Sequence, residues 1–300
     1  MNIGYFNARG INDIEHWYKL EIEELERRGH NVRIFTLNPE YGNHPTRDDI
    51  KWMDFAHYHF AQVANRFKRL GVPFGISPHA NDIFIDNGRN LLSASNHPKC
   101  KFVTYQSFYH KKKFEEWGVN RPLVYLPMCC RTKLFTRQTP YNPSGGLVAG
   151  GRLIPKKGLD RLKGVENLTI FGDGPLEEYL KCTLKHMSFT GHLSGEELKD
   201  LFEKSRIYLF PAIVTPDGDS DGIPNTIKEA MLMKLHVISS PVAGIPELEN
   251  ITLLSDWSKI NEVLETIPKT ANWKGEREIR NIYDPKVTIN MLLKAIEEYL

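Results

Sequence analysis

The chain has 300 residues, of which 41% are hydrophobic and 25% are charged, and its formal net charge at pH 7 is +2. These values are ordinary for globular proteins and allow two domains of average size, each with a substantial hydrophobic core. The small net charge excludes a strong overall attraction to nucleic acid, so the sequence predicts no nucleic-acid partner.

The four cysteines are Cys100, Cys129, Cys130 and Cys182, and no two of them form a Cys-x-x-Cys motif. They predict reduced thiols, and neither a zinc site nor a redox pair. The first residues resemble a strand rather than a signal peptide, and no stretch approaches the ~20 apolar residues that would span a bilayer. We therefore expect a cytoplasmic protein, and a peripheral position at a membrane surface stays open. The segment 110–113 could contact anionic lipid or an acidic acceptor, and a solvated helix face is the alternative for it. Nothing in the sequence predicts an oligomeric state.

The first half of the chain alternates predicted strands and helices. Residues 3–6 and 31–36 predict strands, and the spacing of Trp17, Ile22 and Leu25 predicts a helix between them that ends at Gly29. Strand, helix and strand form a βαβ unit, the building block of a parallel sheet. Further strands are predicted at residues 55–59, 73–77, 102–105 and 124–126, with a helix over residues 107–117.

A cluster of turn-forming residues at 138–146 separates the two halves, and the βα alternation starts again after it. Strands are predicted at residues 147–149, 168–171, around 189, 207–209 and 237–239, and a helix closes the chain at 287–300. We predict two Rossmann-like α/β domains facing a cleft, one over residues 1–140 and one over 141–283. The helix at about 284–300 is expected to pack back on the first domain.

Two glycine-containing loops follow predicted strands of the second half, at the strand ends where α/β sheets bind ligands. In the loop at 150–158, glycines would let a ligand approach the main chain, while Arg152 and Lys157 could neutralise a diphosphate. A solvated basic loop is the alternative. The turn from Gly172 to Pro175 contains Gly174 but lacks the third glycine of the dinucleotide fingerprint, so a simple tight turn is its alternative.

Two further segments complete this set. Gly191 and His192 could lie against a nucleobase, although a helix cap at Ser194 and Glu197 explains part of that segment. The acidic run from Asp217 resembles a calcium loop, but its twelfth position is a lysine where a glutamate is required. A metal-binding pair of Asp217 and Asp219 is a weaker alternative.

Asp221 and Glu229 form a more convincing pair. Pro224 suits the first turn of a helix, whose amides around residues 223–226 would then point at an anion. Asp221 would lie beside the phosphates, and Glu229, further along the helix, could accept hydrogen bonds from vicinal hydroxyls such as those of ribose. This arrangement fits a sugar nucleotide.

These motifs together resemble the family 4 glycosyltransferases, retaining enzymes with the two-domain GT-B fold. The family's Glu-x7-Glu signature appears as Asp221 and Glu229, with Asp in the first position. Its Gly-Arg-Leu…Lys-Gly segment, its Gly-x-Gly-Pro turn and its Pro-x-x-x-Gly-Ile-Pro-Glu run correspond to segments at 151–158, 172–175 and 241–247. The ordered set covers residues 150–249.

The resemblance implies transfer of a hexose from a nucleoside-diphosphate sugar, with GDP-mannose the first candidate donor and a UDP-hexose the second. The acceptor would be a glycan, a lipid-linked sugar or a protein. No obligatory cofactor or metal is implied, because Arg152, Lys157 and helix amides can carry the charge of the leaving diphosphate. Asp221 would hold hydroxyls of the transferred sugar. The residues expected to bind the donor are Arg152, Lys157, Gly174, Gly191, His192, Gly222, Ile223, Pro224, Asn225, Thr226 and Glu229.

The N-terminal half matches the family less well. Residues 77–82 resemble its His-Gly-x-Asp segment with Ala80 in place of Gly, which makes His79 and Asp221 the candidate catalytic residues. A purely structural histidine is the alternative. Gly10, Glu15 and Asp82 are the candidates on the acceptor side.

Two other functions stay open from the sequence. One is a sugar-nucleotide epimerase or hydrolase of the same fold, and the other is a nucleotide-sugar-binding protein without catalytic activity. The second is favoured by the missing Gly-Gly of the first βα loop and by Cys129, which replaces a glycine usual in the family.

Overall fold

The computed structural model describes residues 1–8, 16–37, 43–84 and 86–300. The chain forms two compact units, one made of residues 1–130 and 283–300 and the other of residues 131–282.

The first unit contains a six-stranded sheet in which every neighbouring pair of strands is parallel. In chain order the strands are β1 (Asn2–Asn7), β2 (Asn31–Thr36), β3 (Phe55–His59), β4 (Phe74–Ser77), β5 (Cys100–Tyr105) and β6 (Leu123–Tyr125). Their order in the sheet is β2-β1-β3-β4-β5-β6. The helices of this part of the chain are α1 (His16–Arg27), α2 (Arg47–Trp52), α3 (Ala61–Phe67), α4 (Ala80–Phe84), α5 (Arg89–Ser95) and α6 (Phe108–Glu116).

The second unit contains a second six-stranded parallel sheet. Its strands are β7 (Gly146–Gly150), β8 (Leu168–Phe171), β9 (Ser188–Phe189), β10 (Ser205–Phe210), β11 (His236–Ser239) and β12 (Thr252–Leu253), in the sheet order β12-β11-β10-β7-β8-β9. The helices of the second half of the chain are α7 (Glu177–Thr183), α8 (Glu196–Glu203), α9 (Asn225–Leu232), α10 (Ile260–Thr266), α11 (Trp273–Tyr283) and α12 (Pro285–Tyr299), and α12 belongs to the first unit.

Apolar side chains from strands and flanking helices fill a core in each unit. In the first unit, the terminal helix α12 contributes Ile289, Leu292 and Ile296 to a cluster with Ile3 and Phe55 of the sheet. In the second unit, side chains of β7, β8 and β10 pack with Trp257 and Ile260. Among the described residues, no helix combines the length and the apolar character needed to cross a bilayer.

The two parallel sheets confirm the predicted fold class of two Rossmann-like α/β domains. Each predicted strand is present and shifted by at most two residues at either end, whereas the two-residue strand β12 was not predicted. The units divide after Cys130, ten residues before the predicted boundary, because the segment after Cys130 packs on the second unit. The Arg137 guanidinium anchors it there by donating to the carbonyl oxygens of Phe202, Glu203 and Met233.

Candidate functional site

The candidate site lies at the carboxyl edge of the second sheet. Strands β7, β8 and β9 extend to one side in chain order, and β10, β11 and β12 extend to the other. The order therefore reverses between β7 and β10, and open α/β sheets bind ligands outside the strand ends at such a point. Each predicted donor-site residue follows the end of β7, β8, β9 or β10 in the sequence.

The glycine-containing turns after β7, β8 and β9 are joined through their main chains. Gly151 N–H donates to the Phe171 carbonyl over 3.1 Å, and Gly172 N–H donates to the Gly191 carbonyl over 2.7 Å. A Cβ atom on Gly172 would lie 1.8 Å from Gly151 O, and one on Gly174 would lie 2.6 Å from Leu153 O. Close packing of these turns therefore explains both glycines, and a ligand contact at Gly174 stays a prediction.

Two lysines and two aspartates form a largely buried charge cluster after β7 and β10. Lys157 Nζ lies 2.8 Å from Asp221 Oδ2, and Lys156 Nζ lies 3.0 Å from Asp219 Oδ1 and 3.7 Å from Asp221 Oδ1. Both lysines are only 9% exposed. The sequence predicted Lys157 and Asp221 as site residues separately, and the structure brings them into contact.

Lys156 was not predicted as a site residue. Besides its ion pairs, its Nζ donates to the Ser220 carbonyl oxygen over 3.3 Å. Asp217 lies nearby in sequence but accepts hydrogen bonds from the Thr215 hydroxyl and the Asp219 amide. The acids of the Asp217–Asp219 pair thus have partners within the protein, which argues against their use as a metal-binding pair.

Helix α9 begins in the same region. Pro224 occupies the position before its first residue, Asn225, and the N-terminal amides of a helix have no intrahelical partner. The Tyr208 hydroxyl at the end of β10 hydrogen-bonds to Gly150 O and Thr226 Oγ1, each over 3.0 Å, and so ties the helix start to β7. Gly222, Ile223, Pro224, Asn225 and Thr226 are all partly exposed. The segment predicted to bind the phosphates is therefore accessible and firmly attached to the sheet.

Two oxygen acceptors in this segment lack a regular hydrogen bond. Asp221 Oδ2 has Lys157 close by in an ion pair, but neither it nor Asn225 Oδ1 accepts a hydrogen bond from a described residue. Buried polar atoms are rarely left in this state. Hydroxyl donors of a bound sugar would satisfy both oxygens.

Glu229 on α9 is paired with Arg131, which the sequence did not predict. Arg131 donates twice to Glu229 Oε1, from Nη2 over 2.8 Å and from Nε over 3.0 Å. Glu229 is 3% exposed, and burial raises its pKa, while the positive charge and hydrogen bonds of Arg131 oppose that rise. Arg131 therefore favours the carboxylate form, and both of its bonds end on the same oxygen.

The remaining donor-site candidates are on the surface. Arg152 is exposed and has no side-chain partner among the residues that the structure describes. His192 Nδ1 lies 3.4 Å from Asp173 Oδ1, and both side chains are largely exposed. Neither residue is held in one orientation by buried contacts, so both can adjust to a ligand.

His79, in the first unit, is buried in a polar network. Gln106 Nε2 donates to its Nδ1 over 3.1 Å, and its Nε2 lies 3.2 Å from His59 Nδ1. Both ring nitrogens are thus bonded inside the unit, and burial lowers the pKa of His79 to about 3. A neutral imidazole with this pKa is a poor proton acceptor on its own.

Asp82 is also buried and anchors the main chain around His79. Its carboxylate accepts the His79 amide over 2.9 Å and also the amides of Ala61 and Gln62 at the start of α3. Burial raises its pKa to about 6 in spite of these bonds. These contacts position the main chain around His79, and the Asp82 carboxylate is not exposed to an acceptor substrate. The other two acceptor-side candidates, Gly10 and Glu15, lie outside the described residues.

Comparison with known proteins identifies the second unit. Residues 151–267 match the family model of the group 1 glycosyl transferases. This stretch of the second unit is therefore similar to the group 1 glycosyl transferases. The matched residues contain nearly all of the ordered motif set at 150–249, so the predicted resemblance to glycosyltransferases is confirmed.

Two curated relatives of this region are bacterial glycosyltransferases. The amylovoran biosynthesis glycosyltransferase AmsK of Erwinia amylovora is 34% identical over 134 residues, which are 43% of this chain and 31% of that protein. A GDP-mannose-dependent alpha-mannosyltransferase of Corynebacterium glutamicum is 29% identical over 141 residues, 44% of this chain and 33% of that protein. The chain thus spans about a third of the length of these relatives.

Solved structures match the fold over the whole chain. Anabaena HepE in complex with UDP has a TM-score of 0.75 at 16% identity, over 99% of this chain and 100% of that one. Sucrose-phosphate synthase from Thermosynechococcus elongatus has a TM-score of 0.74 at 13% identity, over 99% and 98% of the two chains. The chain therefore has the same two-domain GT-B fold as these structures.

Proposed function

We propose that the chain is a retaining glycosyltransferase that moves a hexose from a nucleoside-diphosphate sugar to an acceptor hydroxyl. The observation that carries the proposal is the arrangement of Asp221, Lys157, the start of α9 and Glu229 at the switch point of the second sheet. It combines cationic and amide groups for a diphosphate with carboxylates for sugar and ribose hydroxyls. The glycosyltransferase group 1 match over residues 151–267 supports the same reading.

The proposed donor site assigns one task to each group. The diphosphate binds at Lys157, Arg152 and the first amides of α9, and Glu229 accepts hydrogen bonds from the ribose hydroxyls. Asp221 holds hydroxyls of the hexose and exchanges part of its contact with Lys157 for them. Lys157 then becomes available to the phosphate, so binding of the donor rearranges an ion pair that is present beforehand.

In the proposed reaction, the bond between the anomeric carbon and the phosphate oxygen breaks while the acceptor oxygen bonds to that carbon on the same face. The proton of the acceptor hydroxyl passes to the departing phosphate oxygen on that face, and the remaining negative charge on the diphosphate is stabilised by Lys157, Arg152 and the α9 amides. The products are the glycosylated acceptor and a nucleoside diphosphate.

GDP-mannose is the first candidate donor, and the dependence of the C. glutamicum relative on GDP-mannose supports it. A UDP-hexose is the second candidate, supported by the UDP complex of HepE. The biosynthetic function named for AmsK supports a role in glycan synthesis, with a glycan, lipid-linked or protein acceptor.

Release of nucleoside diphosphate from GDP-mannose and from UDP-glucose, with and without a panel of methyl hexosides and polyprenyl-phosphate-linked sugars, tests the proposal. We expect release that depends on an acceptor and falls about 100-fold in Asp221→Asn, because the hexose loses a charged hydrogen-bond acceptor. Asp217→Asn is the matched control, since Asp217 lies in the same loop, is exposed and accepts hydrogen bonds from Thr215 and Asp219.

The same assay separates the alternatives. Turnover of the donor that needs no acceptor would replace the proposal by an epimerase or hydrolase. Nucleotide binding without turnover of either donor under any acceptor condition would replace it by a binding protein.

A further inference from the structure

The first unit buries a row of polar side chains under α1 that the proposed donor site does not use. The members of this buried row are Tyr5 on β1, Glu21 on α1, His57 and His59 on β3, and His79 after β4. Their exposed fractions are between 0% and 8%. Buried polar groups cost free energy unless each has a partner, so the atoms of the row that lack one are informative.

The sheet brings two imidazoles and one carboxylate to the same place. The parallel pairing of β1 and β3 puts His57 directly beside Tyr5. Because side chains alternate along a strand, His59 points to the same face of the sheet as His57, and the Tyr5 ring stacks on it with centroids 4.5 Å apart. Glu21 reaches this face from α1, and its Oε2 accepts a hydrogen bond from the Tyr5 hydroxyl.

The groups that meet there lack the partners that burial requires. His57 Nδ1 and His59 Nε2 are buried, and neither has a hydrogen bond to any described residue. His59 Nε2 lies 3.7 Å from Glu21 Oε2, which is too long for a hydrogen bond. In the part of the chain that the structure describes, no lysine or arginine pairs with Glu21.

The same distances suit atoms that share one metal ion. His57, His59 and Glu21 each offer a ligand atom, and these atoms all lie within 4.8 Å of one another. Two atoms that bind Zn²⁺ in tetrahedral geometry, each at about 2.1 Å, are roughly 3.4 Å apart. The 3.7 Å between His59 Nε2 and Glu21 Oε2 is close to this spacing. Small side-chain rotations are enough to bring all three atoms to one ion.

We propose that Glu21, His57 and His59 bind a divalent metal ion, and that this ion is Zn²⁺. Two imidazole nitrogens and a carboxylate oxygen are a ligand set that Zn²⁺ takes in proteins. The ion satisfies both unpartnered nitrogens and supplies the positive charge that the carboxylate lacks. It also joins helix α1 to strand β3, so the first unit should be more stable with zinc than without it.

This site is independent of the proposed glycosyl transfer. All of its ligands belong to the first unit, whereas the expectation of no obligatory metal concerned the charge of the diphosphate in the second unit. A protein that binds no nucleotide could still bind zinc here.

The protonation states of the three side chains fit a metal site. Burial lowers the pKa of His57 to about 3 and that of His59 well below its usual range, so both rings are neutral, as metal ligands must be. Burial also raises the pKa of Glu21 to about 7, because its carboxylate has no counter-charge. A proton on Glu21 is therefore the competitor of the metal ion.

Hydrogen bonds on the far side of each imidazole determine where its proton lies. His57 Nε2 is 2.8 Å from Ser77 Oγ, and when the ring donates to this hydroxyl its Nδ1 keeps a lone pair for the metal. His59 Nδ1 is 3.2 Å from His79 Nε2. For His59 Nε2 to bind zinc, His59 must donate to His79 from Nδ1, and His79 then carries its own proton on Nδ1, next to Gln106.

Gln106 couples this proton arrangement to the metal ion. Its Nε2 donates to the Pro78 carbonyl oxygen over 3.2 Å and also to His79 Nδ1, which places the His79 proton on Nε2. When zinc displaces the Nε2 proton of His59, the Nε2 proton of His79 passes to His59 Nδ1, and His79 takes a proton from solvent at Nδ1. The partly exposed Gln106 amide then turns its oxygen towards His79. Zinc bound at any other place would not change the His79 tautomer.

Zinc titration of the full-length protein tests the site. After treatment with a chelator, we expect one equivalent of Zn²⁺ to bind with a Kd below about 1 µM and to raise the thermal unfolding midpoint. Glu21→Gln should weaken binding about 100-fold or more, because outer-shell partners of a metal are already worth about 10–100-fold. Glu23→Gln, which changes an exposed residue of the same helix, should bind zinc as the unmodified protein does.

Nitrogen NMR of the unmodified protein labelled with 15N-histidine locates the ion. We expect one equivalent of Zn²⁺ to shift His57 Nδ1 and His59 Nε2, and to move the His79 proton from Nε2 to Nδ1. If Glu21→Gln does not fold, Ser77→Ala replaces it. This change removes the hydroxyl that accepts from His57 and should weaken zinc binding about tenfold.

Three results would overturn the site. They are the absence of stoichiometric binding, zinc that shifts only other histidines, and equal zinc affinity in the unmodified protein and Glu21→Gln. A carboxyl 13C signal that shows Glu21 as a neutral acid in excess Zn²⁺ would assign the buried row to a proton instead. None of these outcomes bears on the donor site, which nucleotide binding tests separately.

Discussion

Single residues of the proposed donor site have charged partners within the protein. Lys157 and Asp221 form an ion pair, and Arg131 opposes the rise that burial causes in the pKa of Glu229. Burying a carboxylate without a counter-charge would cost several kcal/mol. Arg131 therefore supports the proposed contact between Glu229 and ribose by pairing with the carboxylate, and we propose no contact between Arg131 and the donor itself.

Replacement of Arg131 should make nucleotide binding depend on pH. In Arg131→Gln, the pKa of Glu229, which burial already raises, loses the opposing effect of the guanidinium and rises further. The neutral acid accepts hydrogen bonds less well, so we expect nucleotide affinity to fall about tenfold or more at pH 6 and less at pH 8. Calorimetry of GDP and UDP at both pH values measures this effect.

Arg277→Gln, which changes an exposed arginine of the same unit, is the control and should bind as the unmodified protein does. An Arg131→Gln variant that is folded and keeps the affinity of the unmodified protein at pH 6 would show that Glu229 does not depend on this ion pair.

At the scale of elements, the site depends on turns that cross at close range. The turns after β7 and β8 meet where Gly172, with a φ of +113°, lies against the main chain of Gly151. The loop of Arg152 and Lys157 follows Gly151 on one side of this contact. On the other side, the Gly172 amide donates to the carbonyl oxygen of Gly191. The strands of the second sheet thus fix the position of the loop that contains Arg152 and Lys157.

Gly172→Ala should disrupt this crossing. The added Cβ would meet a main-chain oxygen at 1.8 Å in a backbone conformation that alanine rarely adopts, so we expect a loss of about 3 kcal/mol in unfolding free energy. Gly164→Ala is the control, because Gly164 also has a positive φ but no atom within 4 Å of its Cβ position, and it should lose about 1 kcal/mol. Urea unfolding of both variants gives the comparison, and equal losses would contradict the close crossing.

Elements were easier to predict from the sequence than contacts. Short apolar runs bounded by turn residues predicted the strands, because a parallel strand buried on both faces has few polar positions. The pairing of Arg131 with Glu229 joins residues 98 positions apart, and no local pattern marks it. The same holds for Glu21, which looks like one of several glutamates on an amphipathic helix until the fold places it beside Tyr5 and His59.

At the scale of the whole molecule, two parallel sheets of six strands divide the chemistry. The second unit collects charged groups at a switch point, whereas the first buries a row of neutral and ionisable groups around His79. The charged groups of the second unit could be predicted because their motifs are continuous in sequence. The buried row of the first unit could not be predicted, because its members come from β1, α1, β3 and the turn after β4, and only His79 stood in a recognisable segment.

Calorimetric titration of the protein with GDP, GDP-mannose, UDP and UDP-glucose tests the central claim most directly. One nucleotide should bind selectively, and Glu229→Ala should weaken it about tenfold or more, since a hydrogen bond to a charged group is worth about 1.5–3 kcal/mol. Glu265→Ala, an exposed glutamate of the same unit, should bind normally. Absence of binding for all four ligands, or equal binding by Glu229→Ala, would contradict a donor site at the carboxyl edge of the second sheet.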